Sequence, residues 1–224
     1  MAEAKGASLT LASLKEAARR FLAALADSSI SVLYGTTDGK AVGTYIELAF
    51  HDYLKSAFDY TPGNAASGIE FPELEVDLKV TSARQPQSSS PFRSASQKVY
   101  GLGHHLLVCV YDKYDDHDSR TSRLTFQQAI FINREKTADY QTTSGLRAIL
   151  QRDGNRDDVV AFLDERNLPL DDIGRETLAE RILREPPDLG YLTISNALQW
   201  RLQYSRALAV AASGADDSVE NLLV

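Results

Sequence analysis

The chain has 224 residues, 43% hydrophobic and 25% charged, with a formal net charge of -7. That length can bury one packed core, and the ordinary composition excludes collagen-like and low-complexity chains. The charge argues against indiscriminate nucleic-acid binding, and the single cysteine, Cys109, excludes a disulfide framework or a thiolate zinc site. No apolar run is long enough to cross a bilayer, and MAEAKGASLTLASLKEAARR lacks a secretory pattern, so a cytoplasmic protein is expected.

From residue 13 to 26, Leu14, Ala17, Ala18, Phe21, Leu22 and Leu25 recur at helical spacing, with charges on the other side. ISVLY leads to a turn at Asp38-Gly39, and a second helix is expected over 41–58. TPGNAASG, residues 61–68, reads as a loop. Then the period changes. ELEVDLKVTS alternates as a strand, with Leu74, Val76, Leu78 and Val80 on one face and Glu75, Asp77 and Lys79 on the other. QPQSSSPF reads as a polar loop, HLLVCVY (105–111) as a buried strand, DKYDDHDSR as a solvated loop and LTFQQAIFIN as a further strand. From residue 137 the pattern is helical, broken at Gly154-Asn155, Pro169 and Pro186-Pro187. A last helix is expected from near Ile194, before an acidic, frayed tail from 213. This order predicts an α/β (α+β) fold: a mixed central sheet flanked by helices in one domain over 1–224. Its N-terminal helices and sheet span about 1–136, its helical C-terminal part 137–212 and the tail 213–224.

The charge is unevenly distributed. Between Leu78 and Tyr111 there is no acid, while Lys79, Arg84, Arg93 and Lys98 are basic. Glu70, Glu73, Glu75 and Asp77 stand just before this window. A site that handles phosphate and holds a divalent cation needs both signs close together. Asp77 and Lys79 share a strand face about 7 Å apart along the chain. Glu70 lies beyond Pro72, where a reversal can bring its carboxylate beside Asp77. Two adjacent carboxylates repel unless a cation separates them. Mg2+ takes such oxygen ligands, and the backbone carbonyl of Leu78 offers a third. Lys79 could then orient or deprotonate the nucleophile and offset charge on the phosphorane. Taken alone, an acid two residues before a lysine is common on solvated strands, so the case rests on its company.

That company resembles a known family. Acid, spacer, then acid-x-Lys on a strand is the pattern of the PD-(D/E)xK nucleases, and GIEFPELEVDLKVTS is similar to the active-site segment of the MutH-type branch. That branch also carries Lys-x-x-Gly-x-x-x-Glu on an upstream helix, matched here by Lys40, Gly43 and Glu47. The resemblance covers residues 40–82. It implies a restriction-endonuclease-like core in which Glu70, Asp77 and the Leu78 carbonyl hold Mg2+. Lys79 is the implied catalytic lysine, and Glu47 supports that lysine or a second metal. Two departures stand out: Glu70 replaces the usual aspartate, and Glu75 replaces the usual glycine, which would put a third carboxylate on the face of Asp77.

The implied activity is Mg2+-dependent hydrolysis of duplex DNA by a type II restriction endonuclease acting as a homodimer. A nicking repair enzyme and a non-catalytic DNA-binding domain are the alternatives. Arg84, Gln85, Gln87, Ser88, Arg93 and Lys98 follow the catalytic strand and are candidates for DNA contacts. Tyr191, Ser195 and Asn196, expected where the chain enters the last helix, form a second group. Trp200 and Leu202 are expected to pack, and Arg201 and Arg206 to face DNA or, more readily, solvent. His104 and His105 point to opposite faces of a strand, which suits packing or hydrogen bonding better than chelation.

Overall fold

The computed structural model describes residues 6–63, 68–195 and 200–224. The elements run β1 (Ala7–Ser8), α1 (Leu11–Ala26), α2 (Gly39–Lys55), β2 (Phe58–Asp59), β3 (Val76–Ser82), β4 (Gln87–Ser90), α3 (Gln97–Tyr100), β5 (His105–Asp116) and β6 (Thr121–Ile132). They continue with α4 (Tyr140–Gln151), α5 (Arg156–Glu165), α6 (Asp172–Arg184), β7 (Thr193–Ile194), β8 (Trp200–Gln203), α7 (Ser205–Ser213) and β9 (Val219–Asn221). This is the mixed α/β architecture expected. The chain forms two compact units, each assembled from separated stretches.

The first unit comprises Met1–Pro86, Leu106–Phe131 and Glu220–Val224. Its sheet has the order β3-β5-β6-β9. Thr10 starts α1 with a capping box, and Leu14, Ala18, Phe21, Leu22 and Leu25 are buried. Val42, Ile46, Phe50 and Leu54 make the buried stripe of α2. Both stripes join Val76, Leu78, Leu107, Cys109 and Phe131 in one core. Burying each such side chain contributes roughly 1.5–3 kcal/mol. Two expectations need correction here. Strand β5 runs on to Asp116, so most of DKYDDHDSR is strand and only residues 117–120 connect β5 to β6. The acidic tail is not frayed: β9 joins the sheet, and the Leu222 amide donates to the Ala129 carbonyl at 2.7 Å.

The second unit comprises Gln87–His105 and Ile132–Val219. Leu146, Ile149, Val159, Leu163, Leu178 and Ile182 knit α4, α5 and α6 together. Asp139 caps α4, accepting from the Thr142 amide at 2.9 Å, and also accepts from the Ile194 amide at 2.8 Å. Gly190 lies so close to Ala138 that a Cβ would sit 2.2 Å from its carbonyl oxygen, which only glycine permits. Two further corrections fall in this unit. QPQSSSPF is not a loop: Gln87–Ser90 pair antiparallel with β8. The last helix starts at Ser205 rather than near Ile194, because Trp200 and Leu202 alternate with Arg201 and Gln203 as a strand does.

Candidate active site

The site begins with a fold-back in the first unit. Phe71 and Val76 form an isolated antiparallel bridge, with amide-to-carbonyl bonds of 2.9 and 3.1 Å. Between them Pro72–Leu74 make a 3-10 turn, closed by Glu75 at φ 52° and ψ 42°. Glu70 and Asp77 flank this isolated bridge, one on each arm of the reversal. The left-handed turn also explains the glycine that the resembling pattern carries at the place of Glu75. Glu75 is exposed and precedes β3, so it does not share the face of Asp77 as the alternation predicted.

On β3, Lys79 Nζ is 2.8 Å from Asp77 Oδ2, with side-chain exposures of 19% and 2%. The shared face of these two residues is as the strand period requires. Helix α2 packs against β3, and Glu47 and His51 lie one turn apart on it. His51 Nε2 is 3.2 Å from Glu70 Oε2, and Nδ1 is 2.8 Å from the Tyr60 hydroxyl. An ionised carboxylate only accepts, so Nε2 carries the hydrogen, and in the neutral ring Nδ1 accepts from Tyr60. The ring lies 6.1 Å from that of Tyr60 and 5.2 Å from that of Phe71.

Glu47 records how closely these groups gather. Burial is the largest cause holding its carboxyl above the usual range, and Glu70 comes next. Lys79 pulls it down, Asp77 pushes it up and His51 pulls it down. Five ionisable groups thus share one electrostatic neighbourhood. Tyr60 is pushed up to about 12 by burial, then by Asp52 and Glu70. Lys40 is exposed at the start of α2, while Gly43 is buried where α2 meets β3. A Cβ on Gly43 would lie 3.9 Å from Val80, an ordinary contact, so crowding alone does not require glycine there. Cys109 is buried with its thiol pushed up to about 12, first by burial and then by Glu47, as suits an inert hydrophobe.

Among the described residues, no three His, Cys, Asp or Glu side chains form a ready-made cation cage. Mg2+ would suit the donors that the sequence pattern names, the Glu70 and Asp77 carboxylates and the Leu78 carbonyl, because it is commonly held by one or two carboxylates, with waters and substrate phosphate filling the rest of its octahedron.

The family model of the type II restriction enzyme NspV matches residues 8–221. The type II restriction enzyme NspV of Nostoc sp. is 53% identical over 211 residues, covering 94% of this chain and 95% of that one. The chain belongs to the NspV family of type II restriction enzymes. No solved structure matches it. The NspV match takes in both units, well beyond the 40–82 segment on which the sequence pattern rested.

The expected DNA-contacting residues divide. Arg84 and Gln85 are exposed on a turn after β3, where the Gln85 amide donates to the Ser82 carbonyl at 3.3 Å. Arg93 is exposed too. Gln87 and Ser88 lie on β4, with the Ser88 hydroxyl 2.5 Å from the Tyr204 hydroxyl. Lys98 needs correction: it is 3% exposed, its ammonium lies 5.6 Å from the Trp200 ring centre, and burial lowers its pKa. It packs instead of reaching for phosphate. Tyr191 donates its hydroxyl to Asp216 at 2.9 Å, and the Ser195 hydroxyl accepts from the Arg201 amide at 3.1 Å. Neither stands at a helix start, since β7 and β8 occupy this stretch. Asn196 lies outside the described residues. His104 is buried, and His105 Nδ1 accepts from the Arg134 amide at 3.1 Å. Sequence reasoning missed His51 and Tyr60. For His51 the signal was its helical spacing, one turn after Glu47 as Glu47 follows Gly43.

Proposed function

We propose that this chain is a Mg2+-dependent, site-specific endonuclease that hydrolyses phosphodiester bonds in duplex DNA, with a PD-(D/E)xK site of the MutH-type branch. Membership of a type II restriction enzyme family supports the activity. The fold-back closed by the Phe71–Val76 bridge, which Glu70 and Asp77 flank, with Lys79 2.8 Å from Asp77, supports the choice of residues. Glu70, Asp77 and the Leu78 carbonyl would hold Mg2+, which supplies Lewis-acid polarisation of the scissile phosphate. Lys79 reaches the same space, where its ammonium orients the attacking water and offsets charge gathering on the phosphorane. His51, steadied by Tyr60, fixes one oxygen of Glu70 and leaves the other for the ion; it is a positioning residue. Glu47 balances the charge of Lys79 from the helix side. Each chain offers one such site and a duplex has two strands, so the working form is a homodimer on a palindrome, acting in the cytoplasm where DNA is met.

Plasmid digestion with Mg2+ and sequencing of the ends tests this. Linear product with one defined end sequence is expected, and accumulation of open circles would make the enzyme a nicking one. Absence of cleavage, or undiminished cleavage by Asp77→Ala, overturns the reading.

A further inference from the structure

The small sheet of the second unit, in the order β4-β8-β7, has two unlike faces. On the central strand β8, Trp200 and Leu202 are fully buried while Arg201 and Gln203 are exposed. Antiparallel register sets Gln87 and Thr193 on either side of Gln203, and Ser89 beside Arg201. Opposed residues share a face, so Gln87, Ser89, Thr193, Arg201 and Gln203 make one surface. Ser90, Trp200, Leu202 and Ile194 make the other, and all four are buried.

We propose that this outer face reads base edges in the major groove of duplex DNA, and that Gln203 and Arg201 determine specificity. The proposal rests on the nuclease reading above. Its composition is the first argument. A sheet face that serves only solubility mixes lysines with carboxylates. This one holds no carboxylate, in a chain of net charge -7. Its amides and guanidinium are the groups that make paired hydrogen bonds to base edges: glutamine to adenine N6 and N7, arginine to guanine O6 and N7. Geometry is the second argument. A two-stranded β-ribbon fits the major groove; β4 and β8 pair over four residues as such a ribbon, with the two-residue β7 beside one end, and cross-strand neighbours about 5 Å apart present their side chains side by side. Rigidity is the third. On the buried side the Trp200 indole donates to Gln97 Oε1 at 2.9 Å, and Ser88 meets Tyr204 at 2.5 Å. The Arg201 amide is held by the Ser195 hydroxyl at 3.1 Å. Reading groups carried on a braced ribbon lose little freedom on binding.

The test selects bound duplexes from a randomised library with the full chain in an Asp77→Asn background, sequences them, and repeats this with Gln203→Ala, Gln203→Glu and Arg201→Ala added. The parent should select one motif. Each alanine variant should lose roughly tenfold to a hundredfold discrimination at particular base pairs, with binding to unrelated DNA little changed. Gln203→Glu should move its position from adenine towards cytosine, whose amino group a carboxylate accepts. These side chains are exposed, so melting temperatures should match the parent, separating specificity from folding. An unchanged motif with unchanged discrimination in all variants overturns the proposal and leaves the nuclease reading standing. Equal weakening on every sequence also overturns it, since that marks phosphate contact. If the wild-type chain cuts no plasmid and the parent selects no motif, the nuclease reading fails and takes this one with it.

Discussion

If Asp77 holds Mg2+ as proposed, Asp77→Asn separates metal binding from folding. Asp77 is 1% exposed and pairs with Lys79 at 2.8 Å. Removing one partner of a fully buried pair costs about 3–5 kcal/mol. Two features reduce that cost here. Lys79 keeps 19% of its side chain in solvent and the acids Glu47 and Glu70 in its neighbourhood. The substitution also removes one of the two carboxylates whose charge opposes ionisation of Glu47. The metal-free variant should therefore melt within about 1 kcal/mol of wild type, or roughly 2–4 °C for a chain of this size. Mg2+ should separate the two proteins. At a hundredfold excess over its Kd, a ligand bound only by the folded state adds about 2.7 kcal/mol, or roughly 5–11 °C. Wild type should show that rise and Asp77→Asn should lose most of it. Cleavage should fall by about a thousandfold or more, since ion-mediated charge stabilisation amounts to several kcal/mol. Thermal melting across a Mg2+ titration, paired with single-turnover cleavage, measures both. An undiminished Mg2+ shift in the variant would refute the assignment of Asp77 as a ligand.

Lys79→Met should lower the single-turnover cleavage rate by roughly 10²–10⁴-fold while the Mg2+-induced melting shift survives; loss of the shift with the rate intact would reverse the roles. The folded pKa of Glu47 lies above its unfolded value, so its contribution to stability is fully present below the unfolded value and is lost as pH rises through the folded one. Glu47→Gln should therefore gain melting temperature relative to wild type as pH climbs through that window, and a difference that stays flat from acid to neutral pH would contradict the burial argument. His51→Ala should weaken Mg2+ binding about 10–100-fold by calorimetry, with partial rescue in His51→Gln, whose amide can still donate to Glu70; unaltered Mg2+ affinity would reduce His51 to packing.

Much of the site was legible because it uses short-range rules. The alternation of Val76, Leu78 and Val80 with Asp77 and Lys79 fixed the strand and its shared face, and Pro72 marked the reversal that the Phe71–Val76 bridge closes. The helix period put Glu47 on α2, and the same period pointed at His51. What was not legible depends on distant partners. Gln87–Ser90 has the composition of a loop, and only pairing with β8, more than a hundred residues later, makes it a strand. The run around Trp200 mixes periods: Ala207 and Ala211 continue a helical stripe, while Trp200 and Leu202 obey a strand's. Lys98 illustrates a third limit. Nothing in a basic, acid-free stretch shows that one lysine will pass beneath an indole, because that contact is made by a residue remote in sequence.

The two departures from the resembling pattern fall on either side of the same turn and have separate physical explanations. Glu75 occupies a left-handed position at φ 52°, which costs a side-chain-bearing residue about 1–2 kcal/mol relative to the right-handed regions. The reciprocal Phe71–Val76 hydrogen bonds hold the turn closed against that cost. Glu70, one methylene longer than aspartate, gains a rotatable bond whose freedom would blur the metal ligand it is proposed to be. His51 removes it by donating to Oε2, and the rings of Tyr60 and Phe71, each packed against His51 and against one another, fix the donor in turn. Glu70, His51, Tyr60 and Phe71 therefore act as one unit. An aspartate at position 70 would stop short of the imidazole, and a longer acid without His51 would wander. The departure at position 70 is understandable only with the histidine that accompanies it.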